Sequence, residues 1–416
     1  MSWRSRSRVL AAALAAAVTV PAVTGMALAV PAAAGTAAGR MSLDIWGGDL
    51  GKILGPRAGM GNATVPLSFP VPASTVRSGQ IGCESGYLLT TAGQILAWGD
   101  NRIGQLGIGT QRPAQTATPR LVMLPPGAQA VSVQPGCDHV VALLSTGKVV
   151  AWGRNTEGEL GISDPNSSFE LSPVPVALPG NLRFAAVCAG FQFSLALSTG
   201  GQVYAWGDNL AGELGNGTHL VGSDVPVPVK QPRGTQVTAI ACGSTHALAL
   251  TSAGRVLAWG EGDDDELGAP APQLISRVPV PVRLPARVRI RAVSAGVLSS
   301  MALSTTGQVW TWGDNSRGEL GTGSTAAHSL RPALVRLPAG TSVRQITAGD
   351  ENDLVLTARG TILAWGANEM GQLGIGKVSN HSRVPVAVHL PAGQVALSLF
   401  GGSNASDTLA ITQSRR

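Results

Sequence analysis

Carboxylates are the residues in this chain best able to do chemistry. Glu84, Asp138, Asp350 and Glu351 each follow a glycine (Gly82, Gly136 or Gly349) by one or two positions. Brought together they would form paired acids, and paired carboxylates serve as acid and base in hydrolases. Asp263-Asp264-Asp265-Glu266 offers oxygen donors of the kind calcium takes, six to eight at a time. A solvated acidic turn is the plainer expectation for that run. His139 and His246 stand three residues after Gly136 and Gly243, whereas His219, His328, His381 and His389 show no zinc spacing. A structural hydrogen-bonding role is therefore expected for the two, and no metal site. Gly371 to Lys377 has the outline of a phosphate loop, but Val378 replaces the Ser or Thr that would hold magnesium, and the strand–loop–helix context is missing. There is no G-x-S-x-G elbow and no H-E-x-x-H helix. No catalytic residue and no cofactor are assigned.

A repeat is what would position these residues. Trp-Gly recurs at Trp46, Trp98, Trp152, Trp206, Trp259, Trp312 and Trp365, in steps of 52, 54, 54, 53, 53 and 53 residues. Periods of this length mark solenoids, propellers or arrays, whose units bury their apolar faces only against one another. Within one unit, Val131–Val133 alternates, Pro135–Asp138 interrupts, and His139–Leu144 and Lys148–Trp152 flank the turn Ser145-Thr146-Gly147. A polar loop follows, then the proline-rich segment Pro173–Pro179, which belongs at a sheet edge. Helical periodicity is absent. Four short antiparallel strands per unit, repeated radially, make a β-propeller. The chain opens near Met41 on the second half of a unit and closes on the first half, Gly401 to Ala410. Six whole units and this composite predict an all-β, seven-bladed propeller over residues 41–412, with strands from both ends sharing one blade.

The Trp-Gly loop reads W-G-x-N-x-x-G-x-L-G at Trp98–Gly107, Trp206–Gly215, Trp312–Gly321 and Trp365–Gly374, after glycines at 136, 190, 243, 296 and 349. This resembles the regulator-of-chromosome-condensation (alpha-tubulin suppressor-like) repeat family over about residues 41–412. Two copies depart. Trp46–Gly55 lacks the Asn, and Trp259–Gly268 lacks both the Asn and the middle Gly. The resemblance implies a propeller that binds proteins. Relatives include a nucleotide-exchange factor for a small GTPase, chromatin binders, and secreted bacterial propellers that inhibit beta-lactamases. With two tyrosines and six phenylalanines, this chain lacks the aromatic-rich face of that last group.

Residues 1–34 read as a secretory signal peptide. Arg4, Arg6 and Arg8 precede an apolar run from Val9 to Val20, and small residues follow at Ala27-Leu28-Ala29 and Ala32–Ala34. No later segment is long and apolar enough to span a bilayer. Loss of the leader lowers the net charge from +6 by three arginines, which gives no argument for nucleic acid. Only four of thirty basic residues are lysines, consistent with GC-rich coding in a bacterium.

Cys83 and Cys137 directly follow their repeat glycines, at one shared position in adjacent blades, whereas Cys188 and Cys242 fall two and one residues before theirs. Four buried thiols are one reading; export favours a Cys83–Cys137 disulfide and leaves the pairing of Cys188 with Cys242 open. The seven tryptophans are expected to fill the wedges between blades.

The two positions after each repeat glycine vary freely, although their neighbours do not. Glu84, Asp138, Phe191, Leu298, Asp350 and Glu351 are therefore the expected partner-binding ring, with the Trp-Gly loops, such as that of Arg317, at the opposite end. The function expected is a secreted, monomeric, non-catalytic scaffold recognising a protein or surface ligand. An extracellular lyase or hydrolase with carboxylates at the channel mouth, or a cell-wall glycan binder, is the alternative.

Overall fold

The computed structural model describes residues 41–48, 63–68, 75–269, 274–403 and 405–415. Residues 1–34, expected as a leader, most of the first Trp-Gly loop and Asn404 lie outside them. Twenty-eight strands, β1–β28 in chain order, form seven four-stranded antiparallel sheets. One unit shows the build: β7 (Ala130–Pro135), β8 (His139–Leu144), β9 (Val149–Arg154) and β10 (Phe169–Pro175) pair in that order. The proline-bearing strand is outermost, as a strand with missing donors must be. It begins at Phe169, four residues before the proline-rich run expected from sequence. Phe169 and Glu170 pair with Arg154 and Gly153, and a register shift before Val174 lets the chain resume pairing at Ala151. Pairing thus skips the irregular stretch, which reads as loop in the sequence.

The composite blade is ordered β2-β1-β28-β27. β1 (Met41–Gly47) and β2 (Ala63–Ser68) form its outer half, and β27 (Gln394–Phe400) and β28 (Asp407–Ser414) its inner half. Seven consecutive pairs, Met41↔Gln413 through Gly47↔Asp407, join the two ends of the chain. Closure leaves no inner edge exposed.

Innermost strands crowd together around a central channel. A Cβ added to Gly136 would lie 2.4 Å from the Gly190 carbonyl oxygen of the next blade, and one on Gly82 would lie 2.7 Å from that of Gly136. This close approach explains the repeat glycine. It also suits disulfides between blades. Cys83–Cys137 and Cys188–Cys242 are both bonded, with Cα atoms 4.8 and 5.7 Å apart, inside the usual range. Denaturing thiol titration of the protein folded under oxidising conditions is expected to find no free thiol before reduction and four after it; four beforehand would refute both bridges.

Candidate functional site

The repeat motif is an inter-blade lock. Each repeat Trp is fully buried. Trp152 Nε1 donates to the carbonyl of Gln105 in the preceding blade (2.9 Å), Trp206 to Glu159 (2.7 Å), Trp259 to Glu213 (2.8 Å), Trp312 to Glu266 (2.7 Å), Trp365 to Glu319 (2.6 Å) and Trp46 to Gln372 (3.1 Å). The next residue, the motif Leu, joins the same core as that ring: Leu106 with Trp152, Leu160 with Trp206, Leu214 with Trp259. The closing glycine lies against the ring as well; a Cβ on Gly107 would meet Trp152 Nε1 at 2.7 Å. These tryptophans therefore offer no stacking platform for glycan.

His139 and His246 extend the lock. Each Nε2 lies 2.9 Å from a serine hydroxyl, Ser194 or Ser300, whose own proton goes to the Glu159 or Glu266 carbonyl. With that proton committed, the histidine donates. Burial lowers the two imidazoles to about 3 and about 4 respectively, so both are neutral. Their role is structural.

The glycine-following loops and the Trp-Gly loops share one end of the propeller. In an antiparallel blade the first and third connections point the same way. Backbone bonds join them: Asp100 N to Glu84 O, Arg154 N to Asp138 O, Asp314 N to Leu298 O, Ala367 N to Glu351 O. This corrects the expected placement of Arg317. It stands on the same end as Glu351, whose carboxylate is the largest influence raising its pKa, and its guanidinium pairs with Glu369 at 2.5 Å. Four antiparallel strands per unit, as expected from the sequence, already imply this shared end; the placement of Arg317 on the opposite end did not follow from them.

The ring divides into two parts. Glu84 pairs with Arg102 (3.0 Å) and Asp138 with Arg154 (3.6 Å), each arginine coming from the Trp-Gly loop of the same blade. Phe191 projects with 40 % of its surface exposed. Leu298, Asp350 and Glu351 instead line one cleft with Val297, Ser299, Asp314 and Glu319, about 310 Å³ of empty space between two adjacent blades. The acids do not converge on the channel. The pocket there is walled by Gln80, Gln134, Ile240, Ser294, Thr347, Phe400 and other inner-strand residues, with no carboxylate among them.

Sequence reasoning missed Asp314 and Glu319. Glu319 occupies the motif position just before Leu-Gly, held by Gln105, Glu159, Glu213, Glu266 and Gln372 elsewhere. One side-chain oxygen of this residue caps its own loop, as Glu319 Oε2 does by accepting from Arg317 N (2.9 Å). Burial pushes the Glu319 carboxyl up to about 8, with Asp314 adding to the shift. Desolvation also raises Glu351. The signal was available: an acid regularly spaced between two glycines in a motif with buried neighbours.

The family follows from the same motif. The RCC1-like domain profile matches residues 94–416. The chain belongs to the RCC1-like domain family. Among curated relatives, the ultraviolet-B receptor UVR8 of Arabidopsis thaliana is 30 % identical over 335 residues, covering 80 % of this chain and 73 % of the receptor. The E3 ubiquitin-protein ligase HERC2 of Homo sapiens is 32 % identical over 312 residues, 72 % of this chain but only 6 % of the ligase. Two solved structures share the fold at 22 % identity and a TM-score of 0.80. They are human WBSCR16, covering 90 % of this chain and 99 % of that one, and Prp20p of Saccharomyces cerevisiae, covering 92 % and 93 %. The yeast structure is described together with its binding to Gsp1p and histones. All four come from eukaryotes.

Proposed function

We propose that this RCC1-like propeller is an exported, non-catalytic recognition scaffold. Its binding end carries the glycine-following and Trp-Gly loops, and the cleft between Leu298 and Glu351 receives a cationic side chain of a protein partner. One observation carries the reading. Asp314, Asp350 and Glu351 line a cleft that also has apolar walls, Val297 and Leu298, with the neutral Glu319 carboxyl at its floor, and the ion pair of Arg317 is made with Glu369, outside the cleft lining. Acids around an apolar pocket suit a lysine or arginine, whose stem packs while its head pairs. The loops stand on four-stranded antiparallel sheets locked to one another, so little entropy is lost on docking. Phe191, two blades away on the same end, supplies an exposed aromatic anchor. Glu84 and Asp138, being paired already, serve as a rim that orients the partner. Two disulfides accord with an oxidising compartment and with the leader-like residues 1–34.

The enzymatic alternative has one observation in its favour: the carboxyl of Glu319, protonated near neutrality, lines a cleft beside Asp314. Capture from the producer's culture fluid and surface extract decides between them. Wild type, Leu298→Ala, Glu351→Gln, Phe191→Ala, Glu84→Ala and a control on the opposite end, Arg359→Ala, are immobilised in parallel. A basic partner held by wild type and the control, weakened about tenfold by Glu351→Gln or Phe191→Ala and little by Glu84→Ala, is expected. Added salt should weaken it further. Loss of binding in Arg359→Ala with retention in the other variants would overturn the reading.

A further inference from the structure

We propose that the fifth Trp-Gly loop, Trp259–Gly268, is a binding site for a hard divalent cation, calcium, held by the carboxylates of Asp263, Asp264 and Glu266. Each of the three offers an oxygen, and these atoms lie within 4.8 Å of one another. Asp263 is exposed, Asp264 half-buried and Glu266 fully buried, so the group runs from solvent to the loop floor. That gradient gives an ion an entry path, with waters completing a shell of six to eight oxygens.

Acids crowded on a turn are common without an ion, and two further features distinguish this loop. First, Glu266 is 0 % exposed, and its Oε1 has no hydrogen-bond partner, while Oε2 accepts only the Asp264 backbone N–H at 3.1 Å. A buried, unpartnered carboxylate oxygen demands a proton or a cation. Glu159 and Glu213 have similar orphaned oxygens, but neither of their loops carries a run of aspartates, and Glu159 lies 3.6 Å from Arg154. Around Glu266 stand Asp263, Asp264 and Glu261, and around Asp264 stand Asp314 and Asp265. His328 Nδ1 lies 2.5 Å from Asp265 Oδ2. A single proton on Glu266 leaves the other acids unbalanced; a divalent ion answers several at once.

Second, the loop lacks its internal bracket. In five copies a buried Asn ties the loop together. Asn101 Nδ2 donates to Thr110 O (2.7 Å) and its Oδ1 accepts from Leu106 N (3.2 Å); Asn155, Asn209, Asn315 and Asn368 repeat the scheme. Here the position is Gly262, which has no side chain to make these bonds. The same loop puts Asp265, at φ 69°, where those five copies have glycine. Departures that cost local stability without a visible structural gain are expected at functional sites. A cation bound by Asp263, Asp264 and Glu266 would replace the lost bracket.

The test uses calcium alone, titrated calorimetrically into the chelator-stripped, full-length protein. One site per chain is expected, with a dissociation constant on the order of 10⁻⁴ M, typical of extracellular modules, and a rise in the unfolding midpoint with calcium. Asp263→Asn with Asp264→Asn, both changes on accessible side chains, should weaken binding at least tenfold and abolish the midpoint shift. Glu351→Gln, in the neighbouring cleft, should leave both intact, so the outcome is separable from the partner-binding proposal. Absence of heat and of any midpoint shift at millimolar calcium would overturn it. So would binding unchanged in the double variant.

Discussion

A chain ending at Gly393 is expected not to fold cooperatively. Removing residues 394–416 takes away β27 and β28, the inner half of the composite blade. Leu399, Phe400, Leu409 and Ile411 are all at most 2 % exposed in the intact protein. Burial of each contributes about 1.5–3 kcal/mol, so four together rival the whole stability of an ordinary domain, about 5–15 kcal/mol. The loss spreads to the neighbours. β1 would be left without its seven-residue partner. In the blade before it, the Gln345 side chain holds both backbone groups of Leu399, donating to its carbonyl (2.9 Å) and accepting from its N–H (3.1 Å), and would lose both bonds while buried. Far-ultraviolet circular dichroism on heating should show no sharp transition for the truncated chain. Addition of a peptide spanning residues 394–416 should restore one. An unchanged midpoint without the peptide would show that the ring closes by some other contact.

The architecture was legible because one physical constraint repeats seven times. A wedge between radiating sheets needs one large ring at a fixed height, and its indole N–H needs a carbonyl; at six of the seven junctions the Trp and the Glu-Leu-Gly or Gln-Leu-Gly tripeptide of the preceding blade satisfy both. Spacing therefore reports packing directly. The half-units at the two ends likewise foretold the shared blade. The site was legible only in part. Variation after the repeat glycines pointed to Leu298, Asp350 and Glu351, which do share a cleft. It gave no sign that Arg102 and Arg154 neutralise Glu84 and Asp138, because those contacts cross from one connection of a blade to another. Asp314 and Glu319 were hidden for the opposite reason. They sit inside the motif, so they look structural until a cleft is seen to open on them. Asp353 was passed over too. It pairs across the strands with Trp365, where Ser194 and Ser300 pair with Trp206 and Trp312. Those serines donate to the carbonyl before the motif Leu, whereas neither Asp353 carboxylate oxygen has a hydrogen-bond partner.

Stability should fall as pH rises from about 6.5 to 8.5, and the buried acids are the cause. Burial, with Asp208 adding to it, lifts Glu213 from its ordinary 4.5 to about 7, and Glu319 lies near 8. Asp353, fully buried and with neither carboxylate oxygen hydrogen-bonded, is also raised. Above about pH 4.5 the unfolded chain releases these protons while the folded chain keeps them. The native state then binds more protons, so each unit of pH reduces its advantage until the folded groups ionise near 7 to 8. The histidines act in the other direction. His139 and His246, held neutral down to about 3 and about 4, weaken the fold as pH drops below their ordinary 6.5. The two effects oppose each other between 4.5 and 6.5, and only the carboxyls act above it. The chain supplies its own remedy at equivalent positions. Gln105 donates from Nε2 to Asp100 Oδ2 at 2.7 Å, converting an acid–acid contact into a hydrogen bond. Glu213→Gln with Glu319→Gln should therefore stabilise the protein at pH 8.5 by on the order of 2 kcal/mol per site, with little change at pH 5, where the glutamates of the folded chain are already neutral. Urea midpoints measured across this range read the slope directly. Asp353 leaves part of it in place. A double variant with the wild-type slope above pH 6.5 would mean that both glutamates are ionised in the folded protein at neutral pH.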